Sequence, residues 1–267
     1  MLSISIVVYK SDIEILKKTL ESIYLRVIED KNIQEKTSIV IVDNGNQEAE
    51  INEIVYSFKE KKLKIKLITP NKNLGYGKGH NIAILESKSK YHLILNPDVI
   101  LQKYSLKYGL EFLESNLNAI SVCPKCHNKE NKLQYIAKKY PSILVLFLRG
   151  LMPEFIKNHF NKKLSAYENR EIINRKKISE IELMSGCYML CRTEALKTVS
   201  GFDDRYFLYF EDFALSIELA KLGRLIYLPT MSITHFGGQT ARKGFLHFIY
   251  FLSSGIKFFN QYGWKII

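Results

Sequence analysis

Residues 37–46 read Thr-Ser-Ile-Val-Ile-Val-Asp-Asn-Gly-Asn. The β-branched apolar run at 39–42 is typical of a strand that is buried on both faces of a parallel sheet. The polar residues after it begin with Asp43 and Asn44 and include an Asn-Gly pair that favours a turn. Because ligands bind at the carboxyl ends of strands in open α/β sheets, this stretch predicts an α/β fold with functional side chains at its strand ends.

Strand-like apolar runs alternate with helical patterns on both sides of this stretch. Strands are predicted at 3–9, 37–43, 64–69, 91–96 and 119–123, with helices at 12–29, 47–59, 78–88 and 106–115. This alternation indicates a Rossmann-like, mainly parallel sheet flanked by helices. Further elements are predicted beyond residue 180: a strand at 182–192, a helix at 212–222, short strands at 225–228 and 232–235, and a helix at 244–259.

Length and composition favour a single domain at 1–267. The chain has 267 residues, of which 46% are hydrophobic and 25% charged, as in ordinary globular proteins. Within this domain we expect four parts: a first half at 1–124, a basic helical excursion at 125–180, a second half at 181–243 and an amphipathic C-terminal helix at 244–267.

The excess positive charge is confined to two segments. Residues 125–180 hold 13 Lys or Arg against 5 Asp or Glu, and residues 236–267 hold 4 against 0, which together account for the net charge of +12. Segregated charge suggests a polyanion or an anionic membrane surface as partner. A nucleic-acid-binding module is one alternative. No nucleic-acid partner is expected, because the excess lies outside the segments that carry motifs. A lysine-rich composition in general would also explain it.

Hydropathy indicates a peripheral protein and no membrane span. The longest apolar run, 143–148, is far below the roughly 18 residues that cross a bilayer, and the apolar start lacks the features of a signal peptide. We therefore expect a cytoplasmic protein. Two segments could contact the membrane interface. The first is the run at 143–148 with its cations Lys138, Lys139, Arg149 and Lys157, and the second is the tail stripe of Phe245, Ile249, Leu252, Ile256 and Phe259.

Four cysteines leave two interpretations open. Cys123 and Cys126 have the spacing of half a zinc site, with Cys187 and Cys191 as the other possible pair. Reduced cytosolic thiols are the simpler interpretation.

Three polar clusters mark candidate sites at or near predicted strand ends. Residues 73–81, called the glycine loop below, contain Gly75, Gly77 and Gly79 before a helix whose N-terminus could face a phosphate. Asn96-Pro97-Asp98 could hold Mg²⁺, which often needs only one or two carboxylates plus substrate phosphates. In the aromatic block at 201–212, Glu211 and Asp212 are candidates for general-base catalysis, because apolar surroundings raise a carboxylate pKa.

In this order and at these separations, the segments resemble inverting glycosyltransferases of family 2 with the GT-A fold, over residues 3–98 and 181–240. Residues 42–46 are similar to the V-D-N-G-S motif, and the glycine loop is similar to N-x-G-[FY]-[GA]-x-G-x-N. Asn96-Pro97-Asp98 stands at the metal-binding D-x-D. The block 201–212 resembles the G-F-D-x-x-[FY]-F-x-Y-x-E-D pattern of the rhamnosyltransferase branch.

The resemblance implies transfer of a sugar with inversion onto a polyprenyl-diphosphate-linked saccharide in bacterial surface polysaccharide synthesis. The expected sugar is L-rhamnose, from the donor dTDP-L-rhamnose. Another UDP- or dTDP-hexose donor is the alternative. Residues 1–124 would bind the nucleotide sugar, and residues 181–243 would bind the acceptor and supply the catalytic residues. The protein would lie at the inner face of the cytoplasmic membrane. The oligomeric state stays open.

The resemblance also implies roles for particular residues. Asp212 would be the base, with Glu211 beside it, and Mg²⁺ or Mn²⁺ would be held by Asp98 and His235. Acceptor contacts would come from Gly186 and Asp203. Donor contacts would come from Asp43, Asn44, Gly75, Gly77, Asn81, Asn96 and Arg242.

Two residues depart from the family pattern. Asn96 replaces the first carboxylate of the D-x-D, which implies weaker metal dependence, and Asn46 replaces the serine of V-D-N-G-S. A catalytically silent scaffold of the same fold is therefore a further alternative, which hydrolysis of the donor by the purified protein would exclude.

Overall fold

A computed structural model describes residues 1–237 and 244–267. The strands are β1 Leu2–Val8, β2 Thr37–Asp43, β3 Lys64–Ile68, β4 Tyr91–Leu95, β5 Val99–Leu101, β6 Ala119–His127, β7 Leu133–Gln134, β8 Ala137–Lys138, β9 Ser179–Glu180, β10 Leu183–Met184, β11 Tyr188–Arg192 and β12 Arg224–His235. The helices are α1 Ile13–Val27, α2 Lys31–Glu35, α3 Glu48–Glu60, α4 Tyr76–Glu86, α5 Ser105–Ser115, α6 Ile143–Leu151, α7 Glu154–His159, α8 Asn161–Tyr167, α9 Arg170–Arg175, α10 Thr193–Thr198, α11 Glu211–Ala220 and α12 Gly244–Tyr262.

A mixed sheet forms the centre of the fold. Its strands lie in the order β3-β2-β1-β4-β11-β6-β12-β5, with β7 added to β6 and β9 to β12. Strands β1 to β4 run parallel, whereas β11 is antiparallel to both β4 and β6, and β12 is parallel to β6. The strands β1, β2, β4, β6 and β12 therefore all point their carboxyl ends to one edge of the sheet.

The core confirms the α/β pattern of the first half. Strand β1 is buried along its whole length, as expected for a central parallel strand. Helix α1 begins after Asp12, whose side chain accepts a hydrogen bond from the Ile15 N–H as an N-cap, and it buries a stripe at helical spacing. That stripe consists of Leu16, Leu20, Ile23 and Val27.

The second half departs from the predicted elements in three places. Ser185-Gly186-Cys187 breaks the predicted strand 182–192 into β10 and β11, because backbone groups of these three residues form hydrogen bonds with residues far away in the sequence. The predicted strands 225–228 and 232–235 are one strand, β12, whose pairing with β6 continues across a register shift between Leu228 and Ser232. Helix α10 was not predicted. In the first half, strand β5 and helix α2 were not predicted either.

The basic excursion is partly β-structured. It begins inside β6, which extends beyond the predicted end at residue 123 to His127, and it includes β7 and β8 before the helices α6 to α9. Lys138 was expected to face lipid headgroups, but it is buried in β8 with 7% of its surface exposed. Lys138 therefore belongs to the interior of this segment.

The C-terminal helix packs with a different face from the one its hydrophobic stripe suggests. Helix α12 buries Ser254, Gly255, Phe258 and Phe259 against the aromatic cluster around Phe210. Of the predicted stripe only Phe259 is buried, and the exposed apolar residues of the helix are Phe245, Leu246, Phe248, Ile249, Leu252 and Ile256. In the part of the chain that the structure describes, no helix is long and apolar enough to span a bilayer.

Candidate active site

Asp43 ends β2 at the edge of the sheet where the carboxyl ends of the parallel strands lie, and it organises the turn that follows. One carboxylate oxygen accepts a hydrogen bond from the Gly45 N–H at 2.7 Å and the other from the Gln47 N–H at 2.6 Å. The residue is fully buried. Its carboxylate therefore fixes the backbone of this turn, and its predicted contact with the donor's base stays a prediction.

Asn44 connects this turn to the glycine loop. Its Nδ2 donates to the Gly75 carbonyl at 2.9 Å, and its Oδ1 accepts from the Leu74 N–H at 3.3 Å. The sequence placed Asn44 and Gly75 in the same donor site, and the structure brings them into direct contact.

The glycine loop packs closely against the aromatic block 201–212. Gly75 has a positive φ of 82°, and a Cβ at this position would lie 2.3 Å from the Phe207 carbonyl oxygen. The next residue, Tyr76, donates its N–H to that same carbonyl at 3.1 Å. A Cβ on Gly77 would meet the side chain of Phe202 at 2.7 Å. The glycines thus allow close approach to the protein's own aromatic residues, where the sequence suggested a phosphate.

Asp98 and His235 meet at the same edge of the sheet. Oδ1 of Asp98 lies 3.3 Å from Nε2 of His235, in a geometry that gives no hydrogen bond among the described residues. The amide of Asn96 lies 3.5 Å from the same nitrogen. The structure therefore brings together Asn96, Asp98 and His235, three residues that the sequence assigned to the donor and metal site.

The surroundings of His235 fit a cation. Its Nδ1 lies 3.0 Å from Oε1 of Gln134, an acceptor, so Nδ1 carries the proton and Nε2 presents a lone pair to Asp98. A carboxylate oxygen and an imidazole lone pair repel each other unless a positive charge, a proton or a metal ion, lies between them. Carboxylate oxygen and imidazole nitrogen are both ordinary ligands of divalent metals.

The protein supplies only part of a coordination shell. Within residues 1–237 and 244–267, no group of three or more His, Cys, Asp or Glu side chains is arranged to hold a metal ion. Asp98 and His235 would thus share the ion with oxygens of a bound diphosphate, as is common for Mg²⁺.

The residues Gly186 and Cys187 link this pair to the predicted base. The Cys187 carbonyl accepts a hydrogen bond from the Asn96 N–H at 3.0 Å. The Gly186 N–H donates to Oδ2 of Asp212 at 2.8 Å. The glycine loop reaches the same segment, because the Tyr76 hydroxyl donates to the Gly186 carbonyl at 2.6 Å. A segment of two residues therefore holds the Asn96-Pro97-Asp98 turn, the glycine loop and Asp212 together.

Asp212 lies in the first turn of α11 and has the properties of a general base. Burial raises its pKa to about 6, although hydrogen bonds from the backbone N–H groups of Gly186 and Phe213 oppose that shift. The residue is partly exposed, in contrast to the buried Glu211. A carboxylate with a pKa near neutrality is ionised at pH 7 and accepts a proton more readily than an ordinary aspartate.

Glu211 differs from its neighbour in accessibility. It is 5% exposed, and its Oε2 is buried without a hydrogen-bond partner among the described residues. Burial, followed by the charge of Asp212, raises the pKa of Glu211 well above its usual value. Because Glu211 is enclosed, Asp212 is the better candidate for contact with substrate.

Two other predicted residues, Asn81 and Asp203, lie apart from this centre. Both polar atoms of the Asn81 amide are bonded to the backbone of Phe202, and Asp203 is paired with Arg205, which lowers the pKa of that carboxyl. Asn81 and Asp203 line a cavity of about 940 Å³ whose lining includes neither Asp98 nor Asp212. Arg242 lies outside the described residues. Their ligand roles stay predictions.

A buried polar chain supports the glycine loop, and the sequence analysis did not identify it. Ser5 Oγ lies 2.7 Å from Nδ1 of His80 and 2.8 Å from Nε2 of His92, whose Nδ1 lies 2.6 Å from Ser3 Oγ. Burial lowers the pKa of His92 to about 3 and lowers that of His80 well below its usual value. Both imidazoles are therefore neutral. The missed signal is a histidine inside the glycine loop, next to Asn81.

The four cysteines are buried separately in the sheet region. Cys191 lies 3.0 Å from Ser121 Oγ, and Cys126 donates to Oε1 of Gln134 at 3.5 Å. Burial raises the pKa of the Cys187 thiol and that of the Cys191 thiol to about 12. Within the described residues, no three His, Cys, Asp or Glu side chains are grouped to hold a metal ion, so the four cysteines do not form a four-ligand zinc site there.

A family model for glycosyl transferase family 2 matches residues 3–200. The chain belongs to this family. Its curated relatives include the rhamnosyltransferase WbbL of Escherichia coli K12, at 29% identity over 64% of this chain and 64% of WbbL. An N-acetylglucosaminyl-diphospho-decaprenol L-rhamnosyltransferase of Mycobacterium tuberculosis is 24% identical over 74% of this chain and 66% of that protein. The chain thus spans just under two thirds of the length of these two family members.

Solved structures confirm the GT-A fold. A crystal structure of GalNAc-T7 with UDP, GalNAc and Mn²⁺ superposes with a TM-score of 0.70 at 12% identity, covering 97% of this chain and 47% of that one. At such low identity the likeness concerns the fold alone. The predicted family and the predicted α/β architecture, with a mainly parallel sheet flanked by helices, are both confirmed.

Proposed function

We propose that this family 2 protein transfers L-rhamnose from dTDP-L-rhamnose, with inversion, onto a lipid-linked saccharide in bacterial surface polysaccharide synthesis. One observation carries the enzymatic part of the proposal: Gly186 and Cys187 hold Asp212 and the Asn96-Pro97-Asp98 turn side by side. A base and a metal-binding carboxylate must flank the same reacting carbon in such a transfer. The sugar and acceptor follow from the rhamnosyltransferase relatives.

In the proposed reaction, Asp212 removes the proton from the acceptor hydroxyl. The hydroxyl oxygen forms a bond to the anomeric carbon of the donor, and the bond from that carbon to the diphosphate oxygen breaks on the opposite side. Asp98 and His235 would hold Mg²⁺ or Mn²⁺, which supplies positive charge to the departing diphosphate when bound. The Gly186 N–H keeps Asp212 oriented toward the acceptor.

The donor can be identified from ligand-dependent stabilisation. A ligand that binds only the folded state raises the melting temperature, so dTDP-L-rhamnose with Mn²⁺ should raise it more than UDP-hexoses or GDP-hexoses do. Transfer should then be detected with a polyprenyl-diphosphate-linked N-acetylglucosamine. Stronger stabilisation by a UDP-hexose would show that the donor is that UDP-hexose and not dTDP-L-rhamnose. Donor binding without sugar transfer and without donor hydrolysis would favour a catalytically silent scaffold.

We also propose that the protein lies on the inner face of the cytoplasmic membrane. Helix α12 presents exposed apolar side chains in a segment whose residues 236–267 contain no Asp or Glu. An apolar helical face beside cations is typical of interfacial helices. Flotation with phosphatidylglycerol vesicles should be lost in Phe245→Glu/Ile249→Glu/Ile256→Glu. It should persist in the control Tyr56→Glu/Leu117→Glu, which alters exposed apolar residues elsewhere. Equal flotation of both variants would exclude this helix as the anchor.

A further inference from the structure

The basic excursion contains a cluster of cations around one carboxylate. Glu168, which is nearly buried, accepts a hydrogen bond from Nε of Arg170 at 2.8 Å and lies 3.4 Å from Nε of Arg149. Lys138 Nζ lies 3.8 Å from the same carboxylate. Three cations thus surround Glu168, and a single carboxylate offsets only one of their charges.

A cavity of about 310 Å³ opens beside this cluster. Arg149, Lys157 and Arg170 line it together with Asn158 and Asn161, which adds amide donors to the three cations. Lys157 is paired with Glu154, whose side chain is largely exposed. Three cations and two carboxylates, Glu154 and Glu168, line the cavity, which leaves one positive charge without a partner in the cluster. Burial, and then the neighbouring Arg149, lower the pKa of Lys138 to about 7, so Lys138 adds only part of a charge near neutral pH. The positive charge of the cluster therefore exceeds its negative charge without counting Lys138.

Two features relate this cavity to the reaction centre and to lipid. Tyr167 lies beneath Arg149, which donates to its hydroxyl at 3.5 Å, and the Tyr167 carbonyl accepts a hydrogen bond from the Lys139 N–H at 2.8 Å. Lys139 directly follows β8, which pairs with β10, and β10 ends two residues before Gly186. Backbone pairing therefore joins the pocket to the segment that holds the proposed base. Next to the cations in sequence, Phe147 and Phe155 are exposed by 48% and 75%. The two helices that supply cations to the cavity, α6 and α7, therefore also carry exposed apolar side chains.

We infer that Arg149, Lys157 and Arg170 form a subsite for the diphosphate of a lipid-linked acceptor. This inference rests on the proposed function and extends it to how the acceptor is held. The guanidinium groups of the two arginines and the ammonium group of the lysine can donate charge-assisted hydrogen bonds to phosphate oxygens. Phe147 and Phe155 suit the lipid chain. Because β8 and β10 join the pocket to the segment that holds Asp212, the acceptor sugar would lie between the phosphate and the base. A phospholipid headgroup has the same chemistry, so the test separates the two sources.

The first measurement is calorimetric titration with inorganic diphosphate in EDTA, which prevents metal-assisted binding at Asp98. The wild type should bind, and Arg149→Met/Lys157→Met should bind at least about tenfold more weakly, since charge-assisted hydrogen bonds are lost. Arg170 and Lys138 still neutralise Glu168 in this variant, so folding is preserved. The matched control is Lys107→Met/Arg175→Met, which removes two cations from i,i+4 pairs on helix surfaces and should bind as the wild type does.

The second measurement identifies the source of the phosphate. In detergent without phospholipid, Arg149→Met/Lys157→Met should raise KM for a polyprenyl-diphosphate-linked N-acetylglucosamine and leave KM for the donor unchanged. Equal diphosphate affinity of wild type and variant overturns the subsite. An unchanged acceptor KM with lost flotation on phosphatidylglycerol vesicles overturns the acceptor assignment in favour of a membrane headgroup. Stabilisation by dTDP-L-rhamnose, measured on the same samples, tests the proposed function separately.

Discussion

Two carboxylates lie on either side of the segment formed by Gly186 and Cys187, and their surroundings suit different positive charges. Asp98 faces the imidazole of His235 across 3.3 Å, an arrangement that suits a cation. Asp212 lies beside the buried Glu211, and desolvation raises its pKa to about 6. The two surroundings are therefore compatible with a metal ion at one aspartate and a proton at the other.

The largest effect is expected at the proton-accepting side. Asp212→Asn keeps an oxygen that can accept from the Gly186 or Phe213 N–H but cannot accept a proton. Transfer should therefore fall by about 10²–10⁴-fold while donor binding persists. Steady-state transfer rates and donor titration measure the two quantities.

Glu211→Gln is the matched variant for this comparison, because it changes the neighbouring carboxyl in the same helical turn. We expect it to retain far more turnover than Asp212→Asn. If Glu211→Gln is the inactive variant and Asp212→Asn is active, the two roles are reversed.

An intermediate effect is expected at the metal side. Asp98→Ala removes one of the two facing groups, so Mn²⁺ should no longer strengthen donor binding, and affinity should fall by about tenfold or more. Donor titrations with and without Mn²⁺ measure this. Asp30→Ala, which removes the N-cap of α2 at the opposite edge of the sheet, is the control. Full wild-type activity in EDTA would remove the metal from the mechanism and point to Asn96 as the reason.

The smallest effect is expected where the two sides are joined. Tyr76→Phe removes the hydroxyl that donates to the Gly186 carbonyl but keeps the ring against His80 and Phe202. A less firmly held Gly186 would weaken the N–H bond that lowers the pKa of Asp212, so that pKa should rise. The acid limb of the pH–rate profile should move to higher pH by up to about one unit, with a rate loss of a few-fold at pH 7.

Tyr140→Phe provides the control for that shift. It removes another phenol-to-carbonyl hydrogen bond of 2.6 Å, to Gly263, next to the C-terminal helix. Its acid limb should match that of the wild type. A lower rate without movement of the limb in Tyr76→Phe would show that Tyr76 contributes only to folding.

Features that depend on nearby residues could be predicted from the sequence. The buried run before Asp43 defines a parallel strand, and the carboxylate that ends it bonds to the N–H groups of Gly45 and Gln47, only a few residues away. The order of the motifs also placed Asp98 and Asp212 in one family pattern. Such information is contained in short stretches of the chain.

Features that depend on distant partners could not be predicted in the same way. The break at Gly186 arises because its N–H is used by Asp212, 26 residues away, and its carbonyl by Tyr76. Helical periodicity identified an apolar stripe in α12. The buried face instead contains Gly255, which packs against Phe210, and Ser254, whose hydroxyl donates to the Leu208 carbonyl. The spacing of residues in the sequence also does not predict that three cations from separate elements surround Glu168.

The serine and histidine chain beneath the glycine loop provides natural spectroscopic probes. Because His80 and His92 are neutral and buried, their ring protons are shielded from exchange with solvent. Hydrogen-bonded imidazole protons resonate downfield of the backbone amides, so these signals can be followed in a one-dimensional proton spectrum without isotope labelling. A change in the glycine loop when a nucleotide binds would move the His80 signal, and the chain through Ser5 would carry a smaller change to His92.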